Sequence, residues 1–128
     1  MNHIYMEVFM EERVLELKAE ILKALAQPTR LKILELLRNG ERCICEIVPA
    51  IKGEQSNISR HISLMQKSHL VTTRKDGVKV MVKVRNPKIF DILDSITTIL
   101  KNEMNEQSRL IRSIRSESRE ENPFHKAN

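Results

Sequence analysis

The chain is 128 residues long, 41% of its residues are hydrophobic and 30% are charged, and 22 Lys and Arg outnumber 17 Asp and Glu. That length is typical of one domain of about 100–150 residues, and the apolar content excludes a wholly disordered chain. No apolar run approaches the roughly 18 residues that a spanning helix needs, and the N-terminus does not resemble a secretory signal, so we expect a cytoplasmic protein.

The N-terminal part of the chain has the apolar spacing of three helices. Residues 10–25 carry apolar side chains at intervals of three and four, which predicts a first helix. Pro28 suits the first turn of a second helix, which is expected to stop at Asn39 and Gly40. Residues 42–51 follow the i, i+3, i+4, i+7 rule and predict a short third helix.

A fourth helix is predicted from about Ser56 to Lys67, and it has two distinct faces. At 100° per residue, Ile58, Ile62 and Met65 fall on one side and form the buried face. The opposite side carries short hydroxyls and cations, namely Ser56, Ser59, Arg60, Ser63 and Lys67. This strip has no bulky apolar group to keep it out of a DNA groove. Ser56 is expected to cap the helix, whose free N–H groups favour a nearby phosphate.

A β-hairpin and a long helix complete the pattern. Over residues 78–85, valine alternates with Lys, Met and Arg, the period of a strand with one buried face, and residues 71–74 are its predicted partner across a Lys75-Asp76-Gly77 turn. From Pro87 to about Leu100 the spacing predicts a helix with more apolar surface than a small domain covers alone. With the first helix it suggests a dimer interface, and an intramolecular core contact is the alternative.

The domain is therefore expected to span residues 1–115. Residues 116–128 are polar and charged and are expected to form a flexible C-terminal tail.

All of the net positive charge lies in the middle of the chain. Residues 1–55 hold 8 basic and 9 acidic side chains, residues 56–88 hold 8 and 1, and residues 89–128 hold 6 and 7. The three net charges are therefore −1, +7 and −1. Such a concentration is expected of a surface that displaces counterions from nucleic acid. A merely solvated face is the alternative for a charge run alone.

This order of elements predicts a mainly α-helical protein with a small β-hairpin, a winged helix-turn-helix. The fourth helix would enter the major groove of double-stranded DNA, about 12 Å wide, and a homodimer would repeat the contact about 34 Å away. Arg60 is the candidate for base readout, because a guanidinium can bond guanine O6 and N7. The other candidate DNA-binding residues of this helix are Gln55, Ser56, Asn57, Ser59, Ser63 and Lys67. The cations expected to contact phosphates are Arg74, Lys75, Lys79 and Lys83.

Two segments resemble motifs of the ArsR/SmtB family of winged-helix metalloregulators, and especially its arsenic-responsive repressors. Residues 41–47, Glu-Arg-Cys-Ile-Cys-Glu-Ile, are similar to the family's ELCVCDL motif. Residues 55–62, Gln-Ser-Asn-Ile-Ser-Arg-His-Ile, are similar to its recognition-helix signature. The similarity extends from about Leu25 to Val84. It implies a homodimeric repressor that leaves its operator DNA when an inducer binds.

Cys43 and Cys45 are the candidate metal-binding residues. Two positions apart on a regular helix, they would lie about 200° apart with their thiols near the surface, and one ion held by both would distort the helix. Thiolates prefer soft ions, so arsenite or antimonite is the first expected inducer and cadmium or lead the second; no obligatory cofactor is expected. Some arsenic-responsive relatives carry a third cysteine where this chain has Val48. This departure leaves three possibilities: a third donor from a small-molecule thiol, a third donor from the other subunit, or a less complete site.

Other uses of these cysteines stay open. The pair could toggle to a disulfide as a redox switch, since low-pKa exposed thiols oxidise reversibly. Alternatively, both cysteines fill gaps as small apolar residues, and the regulator has no metal inducer.

His61 matches the histidine of the family's recognition helix, and we expect it to pack or hydrogen-bond rather than to bind metal. A zinc site like that of the zinc-responsive members is not expected, because no histidine lies between Pro87 and Lys101. Catalysis is not expected either, since the chain has no Cys-x-x-Cys motif, no Ser/His/Asp arrangement and no phosphate-binding glycine loop. A module that binds only protein through its terminal helices is the remaining alternative.

Overall fold

The structure is a computed structural model that describes residues 3–121, with side chains described through residue 117. In chain order, its elements are α1 (His3–Leu25), α2 (Pro28–Leu36), β1 (Arg42–Cys43), α3 (Ile44–Ala50), α4 (Gln55–Lys67), β2 (Val71–Asp76), β3 (Lys79–Val84) and α5 (Ile89–Glu121). The chain divides into two compact units, one up to Pro87 and one from Lys88. Among the described helices, none combines the length and apolarity needed to cross a membrane.

The first unit is a winged helix-turn-helix, which confirms the predicted fold class. Its sheet has three antiparallel strands in the order β1-β3-β2, so the predicted hairpin gains a third strand. β1 joins through the pairs Arg42↔Val82 and Cys43↔Met81. The prediction of a helix from residue 42 is therefore wrong at its start. Residues 42 and 43 find backbone partners in β3, and the helix begins only at Ile44.

Cys43 is the N-cap of α3 rather than a residue inside the helix. Its backbone is extended, with φ −72° and ψ 145°. Its sulfur accepts a hydrogen bond from the Cys45 backbone N–H, while the Glu46 carboxylate accepts one from the Cys43 N–H. This reciprocal arrangement is a capping box, which satisfies two of the free donors at a helix start.

The core of this unit is built from the predicted apolar faces. Ile58, Ile62 and Met65 are buried on α4, which confirms the separation of its two sides. Val82 and Val84 are buried on β3, whereas Val78, predicted to share their face, is fully exposed. The hairpin explains this difference, because strand β2 continues to Asp76, which pairs with Lys79. Gly77 and Val78 are thus the two-residue turn, and Gly77 adopts φ +62°.

A tight turn between α3 and α4 decides where the fourth helix begins. Lys52 lies in the left-handed region with φ 53°, and the Gly53 N–H donates to the Val48 carbonyl across 3.1 Å. This pattern is a Schellman motif, which ends α3 and reverses the chain. α4 then starts at Gln55 with Glu54 as its N-cap and no side-chain cap. Ser56 lies inside the helix, so its predicted capping role is wrong.

The two terminal helices are longer than the spacing predicts. α1 begins at His3 rather than near residue 10, and α5 continues to Glu121. Residues 116–121 of the predicted tail are therefore helical, and the flexibility of the tail stays a prediction. The rest of that tail, residues 122–128, lies outside the described residues.

At Gly53, the structure leaves no room for a side chain. An added Cβ would lie 2.8 Å from Ile58 Cδ1, and Ile58 is only 1% exposed, so it cannot swing away. We expect Gly53→Ala to lower the free energy of unfolding by about 1–3 kcal/mol, measured by urea denaturation. Because Ile58→Val removes the clashing atom, the double variant should lose less stability than the two single losses added together.

Gly77→Ala is the control for this experiment. Nothing lies within 4 Å of an added Cβ at Gly77, so its cost comes from the positive φ and should simply add to that of Ile58→Val. Additive losses for the Gly53 pair as well would contradict the proposed clash.

Candidate nucleic-acid interface and cysteine pair

The outward face of α4 is open to solvent. Gln55, Ser56, Arg60, Ser63 and Lys67 are exposed, and Asn57 and Ser59 are half-buried. The Arg60 guanidinium donates to Asn57 Oδ1 across 2.9 Å, which holds it on this face. The fold thus brings together the residues predicted to enter a DNA groove, and their contact with DNA stays a prediction.

The cations of the hairpin, or wing, are exposed as well. Lys75, Lys79 and Lys83 form no ion pair with any of the described side chains, so their charges are available to a polyanion. Arg74 is different, because its guanidinium binds the Glu41 carboxylate through two hydrogen bonds, one of 2.9 Å from Nε to Oε2 and a second from Nη2 to Oε1.

Glu41 was not among the predicted site residues. The hydrogen bond from Arg74 lowers the pKa of its carboxyl, and the positive charges of Arg74 and Lys83 add to that effect. The same contact raises the pKa of Arg74. In the sequence, Glu41 is distinguished only by its position two residues before Cys43, and no local pattern relates it to Arg74.

His61 is the buried polar residue of α4, with 5% of its surface exposed. Its Nδ1 accepts a hydrogen bond from Arg30 Nε across 3.2 Å, and Arg30 also donates to the Ala24 carbonyl. Burial lowers the pKa of His61, and the charges of Arg30 and Arg60 lower it further. The expectation of a packed, hydrogen-bonded histidine is confirmed, and this neutral ring ties α4 to the start of α2.

The two cysteines do not diverge around a helix, contrary to the sequence prediction. Cys43 and Cys45 are joined by a disulfide, with their Cα atoms 5.0 Å apart. Cys43 is buried, with 2% exposed, and only Cys45 reaches the surface. The physical reason is the extended backbone of Cys43 in β1, which turns its side chain toward the first turn of α3.

Within one chain, the residues whose placement is described offer a metal ion no group of three His, Cys, Asp or Glu side chains. Cys43 and Cys45 alone can supply two sulfurs to a single soft ion once reduced.

Comparison with known proteins agrees with this architecture. A model of the arsR family of bacterial regulatory proteins matches residues 27–73. An uncharacterized HTH-type transcriptional regulator of Methanocaldococcus jannaschii is 38% identical over 79 residues, which are 61% of this chain and 89% of that protein. The arsenical resistance operon repressor of Staphylococcus aureus is 37% identical over 79 residues, covering 62% of this chain and 76% of the repressor.

Solved structures agree as well. The crystal structure of Rv0081 from Mycobacterium tuberculosis is 29% identical, with a TM-score of 0.67 over 74% of this chain and 96% of that one. The fold and the exposed α4 face define a winged helix-turn-helix DNA-binding transcriptional regulator, and not an enzyme. The chain belongs to the ArsR family of bacterial regulatory proteins, and it is a repressor of that family.

The lowered pKa of His61 gives stability a defined dependence on pH. The unfolded chain takes up this proton more readily than the folded one, so the contribution of His61 is present above about pH 6.5 and is lost as pH falls below it. His61→Asn keeps an acceptor for Arg30 but cannot titrate. We expect it to lower stability at pH 7.5 and to flatten the loss of stability between pH 7.5 and 5, measured by thermal and urea unfolding.

His69→Asn controls for the replacement of a histidine by asparagine, because His69 is exposed at φ 61°, a conformation that asparagine tolerates. An unchanged pH dependence in His61→Asn would show that this ring does not titrate with folding.

Proposed function

We propose that this repressor binds its operator as a homodimer and leaves it when the Cys43 and Cys45 thiols react. The observation that carries the proposal is the exposed α4 face, defined by Gln55, Ser56, Asn57, Ser59, Arg60, Ser63 and Lys67, on the same unit as the cationic wing. A helix with short polar side chains fits a major groove, and flanking lysines neutralise phosphates.

Exposed apolar helices support the homodimer. On α1, Tyr5, Phe9 and Leu15 are each more than 60% exposed, and on α5 the same holds for Ile99, Met104 and Leu110. Single exposed apolar residues are common on monomers, but rows of them along two helices mark surfaces that a partner covers. A second copy of the chain is the partner proposed here, because a two-fold dimer presents two copies of α4 to the DNA.

The cysteine pair is placed to influence both DNA-binding elements. Cys43 pairs with Met81 in the wing strand β3, and Cys45 lies in the first turn of α3. Ile47 of α3 and Ile58 of α4 are both fully buried, and the two helices are in contact. Chemistry at the sulfurs alters the cap of α3, so it can shift α4 and the wing together. A coupling of about 1–3 kcal/mol changes DNA affinity roughly 5- to 150-fold.

Arsenite or antimonite is the first proposed inducer. Two thiols displace two hydroxides from As(OH)₃ as water, and a small-molecule thiol or a group of the second subunit would complete the coordination. The arsenical resistance operon repressor of Staphylococcus aureus, to which this chain is similar, supports this choice. Cadmium or lead is the second choice, because both are thiophilic.

Oxidation is a second candidate, and the disulfide between Cys43 and Cys45 favours it. The two thiols would give two electrons and two protons to an oxidant such as hydrogen peroxide, which leaves as two waters. Either chemistry acts on the same two sulfurs, so the inducer has to be identified by titration.

The wing and α4 make different contributions to DNA binding. Replacing Lys75 and Lys79 together by alanine should weaken binding to all sequences alike and reduce the log–log salt slope by about 0.9 for each lost phosphate contact, measured by fluorescence anisotropy. Arg60→Ala should instead relax sequence preference, at a cost of about 1–3 kcal/mol on the preferred operator. A loss on only one operator in the lysine variant would contradict a phosphate-only role.

Cysteine variants test the switch. Cys43→Ser and Cys45→Ser should keep operator binding, since serine also caps helices, but should no longer release DNA with arsenite. Release is measured by titrating arsenite, antimonite, cadmium, lead, zinc and peroxide against one labelled promoter fragment. Normal release by both variants would refute the proposed switch.

Val48→Cys separates the two chemistries. It places a third sulfur one helical turn beyond Cys45, so it should lower the arsenite concentration needed for release. Peroxide sensitivity should stay unchanged, because oxidation of the pair requires only two thiols. If peroxide alone releases the wild-type protein and a reductant restores binding, the redox candidate is correct.

A further inference from the structure

The carboxylate of Glu41 is hydrogen-bonded to Arg74, one of the wing cations proposed to bind DNA. Glu41 accepts two hydrogen bonds from the Arg74 guanidinium, the fork geometry that arginine also offers to phosphate. The other cations proposed for the wing, Lys75, Lys79 and Lys83, carry no such carboxylate among the described residues. Arg74 is thus the wing cation that would have to release the Glu41 carboxylate before it could bind a DNA phosphate.

The register of the sheet connects this pair with the cysteines. Cys43 lies opposite Met81, and Met81 lies opposite Arg74, so the three residues form one row across β1, β3 and β2. Glu41 is two residues before Cys43, and neighbours at that spacing on an extended chain share a face. Glu41, which binds Arg74, and Cys43, which pairs with Met81, therefore lie on the same short segment of backbone.

We propose that Glu41 is a built-in competitor of DNA phosphate for Arg74, positioned by the strand that carries Cys43. This inference rests on the proposed function, because it assumes that the wing binds phosphates. In the free protein the carboxylate holds the Arg74 guanidinium, and on DNA the phosphate replaces it. Movement of β1 after reaction of the cysteines returns the carboxylate to Arg74 and opposes rebinding.

Glu41→Gln tests the competition, because the amide keeps the shape of the side chain and removes its charge. In reducing buffer, we expect this variant to bind duplex operator about two- to fivefold more tightly at low salt, the range that an exposed ion pair supports. Its log–log salt slope should stay that of wild type, since Arg74 neutralises the same phosphate in both complexes. Affinities are measured by anisotropy over a salt series.

The chain offers a matched control in Glu35. This carboxylate, near the end of α2, accepts two hydrogen bonds of 2.9 Å from Arg38, the same bidentate geometry between residues outside the strands. Glu35→Gln therefore removes the same charge and the same kind of pair, and it should leave DNA affinity and salt slope unchanged. Circular dichroism and thermal unfolding check that each variant is folded, and Glu41→Ser serves as a second variant if the glutamine variant is not.

A double-variant cycle separates competition from a general gain of positive charge. In an Arg74→Ala background, Glu41→Gln should increase affinity far less, because the contested cation is absent and only the charge interaction of Glu41 with Lys83 is left. An undiminished increase there, or a Glu41→Gln variant that binds no better than wild type, would overturn the inference. Failure of the proposed function looks different, since wild-type protein would then ignore duplex DNA at every salt concentration.

The link to the cysteines has its own readout. After treatment with the agent that releases wild-type protein, Glu41→Gln should retain more DNA binding than wild type, whereas Glu35→Gln should behave as wild type. Equal loss in all three proteins would show that Glu41 takes no part in the response.

Discussion

The pairing of Arg42 and Cys43 with strand β3 is the constraint on which the rest of the proposed regulatory site depends. Two antiparallel residue pairs keep the backbone extended up to Cys43, so the helix that follows begins only at Ile44. That boundary makes Cys43 a helix cap, turns its sulfur toward Cys45 and places Glu41 at the edge of the wing. A helix beginning at residue 42 would have separated the two sulfurs around its axis.

The recognition helix α4 is held at its start and along its buried face. At its start, the turn through Lys52 and Gly53 packs backbone directly on Ile58, so the distance from α3 to α4 leaves no room for a side chain. Along its length, buried residues hold the inner face, and the neutral His61 ring accepts a hydrogen bond from Arg30. The hydroxyls and Arg60 face outward because Ile58, Ile62 and Met65 hold the opposite side of the helix in the core.

An ion pair connects the wing with the segment that carries the cysteines. An excess of cations within residues 56–88 suits a polyanion, yet one of them is already neutralised by a carboxylate from outside that segment. In the free protein the Arg74 guanidinium is hydrogen-bonded to Glu41, and under the proposed competition a DNA phosphate would replace that carboxylate. A glutamate of ordinary pKa is already charged at neutral pH, and the hydrogen bond from Arg74 lowers the pKa of Glu41 further.

Local periodicity determined much of this protein from its sequence. The apolar spacing of α1, α2, α4 and α5, the alternation along β3 and the two faces of α4 are patterns within a few residues, and each is set by backbone geometry that does not depend on the rest of the fold. The cysteine motif and the segment that follows it likewise sufficed to indicate the ArsR family.

Only the tertiary structure decided the contacts between distant segments. The strand at Arg42 and Cys43 exists because β3 lies beside it, and the pairs Glu41–Arg74 and Arg30–His61 join residues 33 and 31 positions apart. The start of α4 also depends on the turn through Lys52 and Gly53, because Gly53 packs against Ile58, a core residue of α4. Such partners leave no trace in local spacing, because the free energy that selects them arises only when the elements meet.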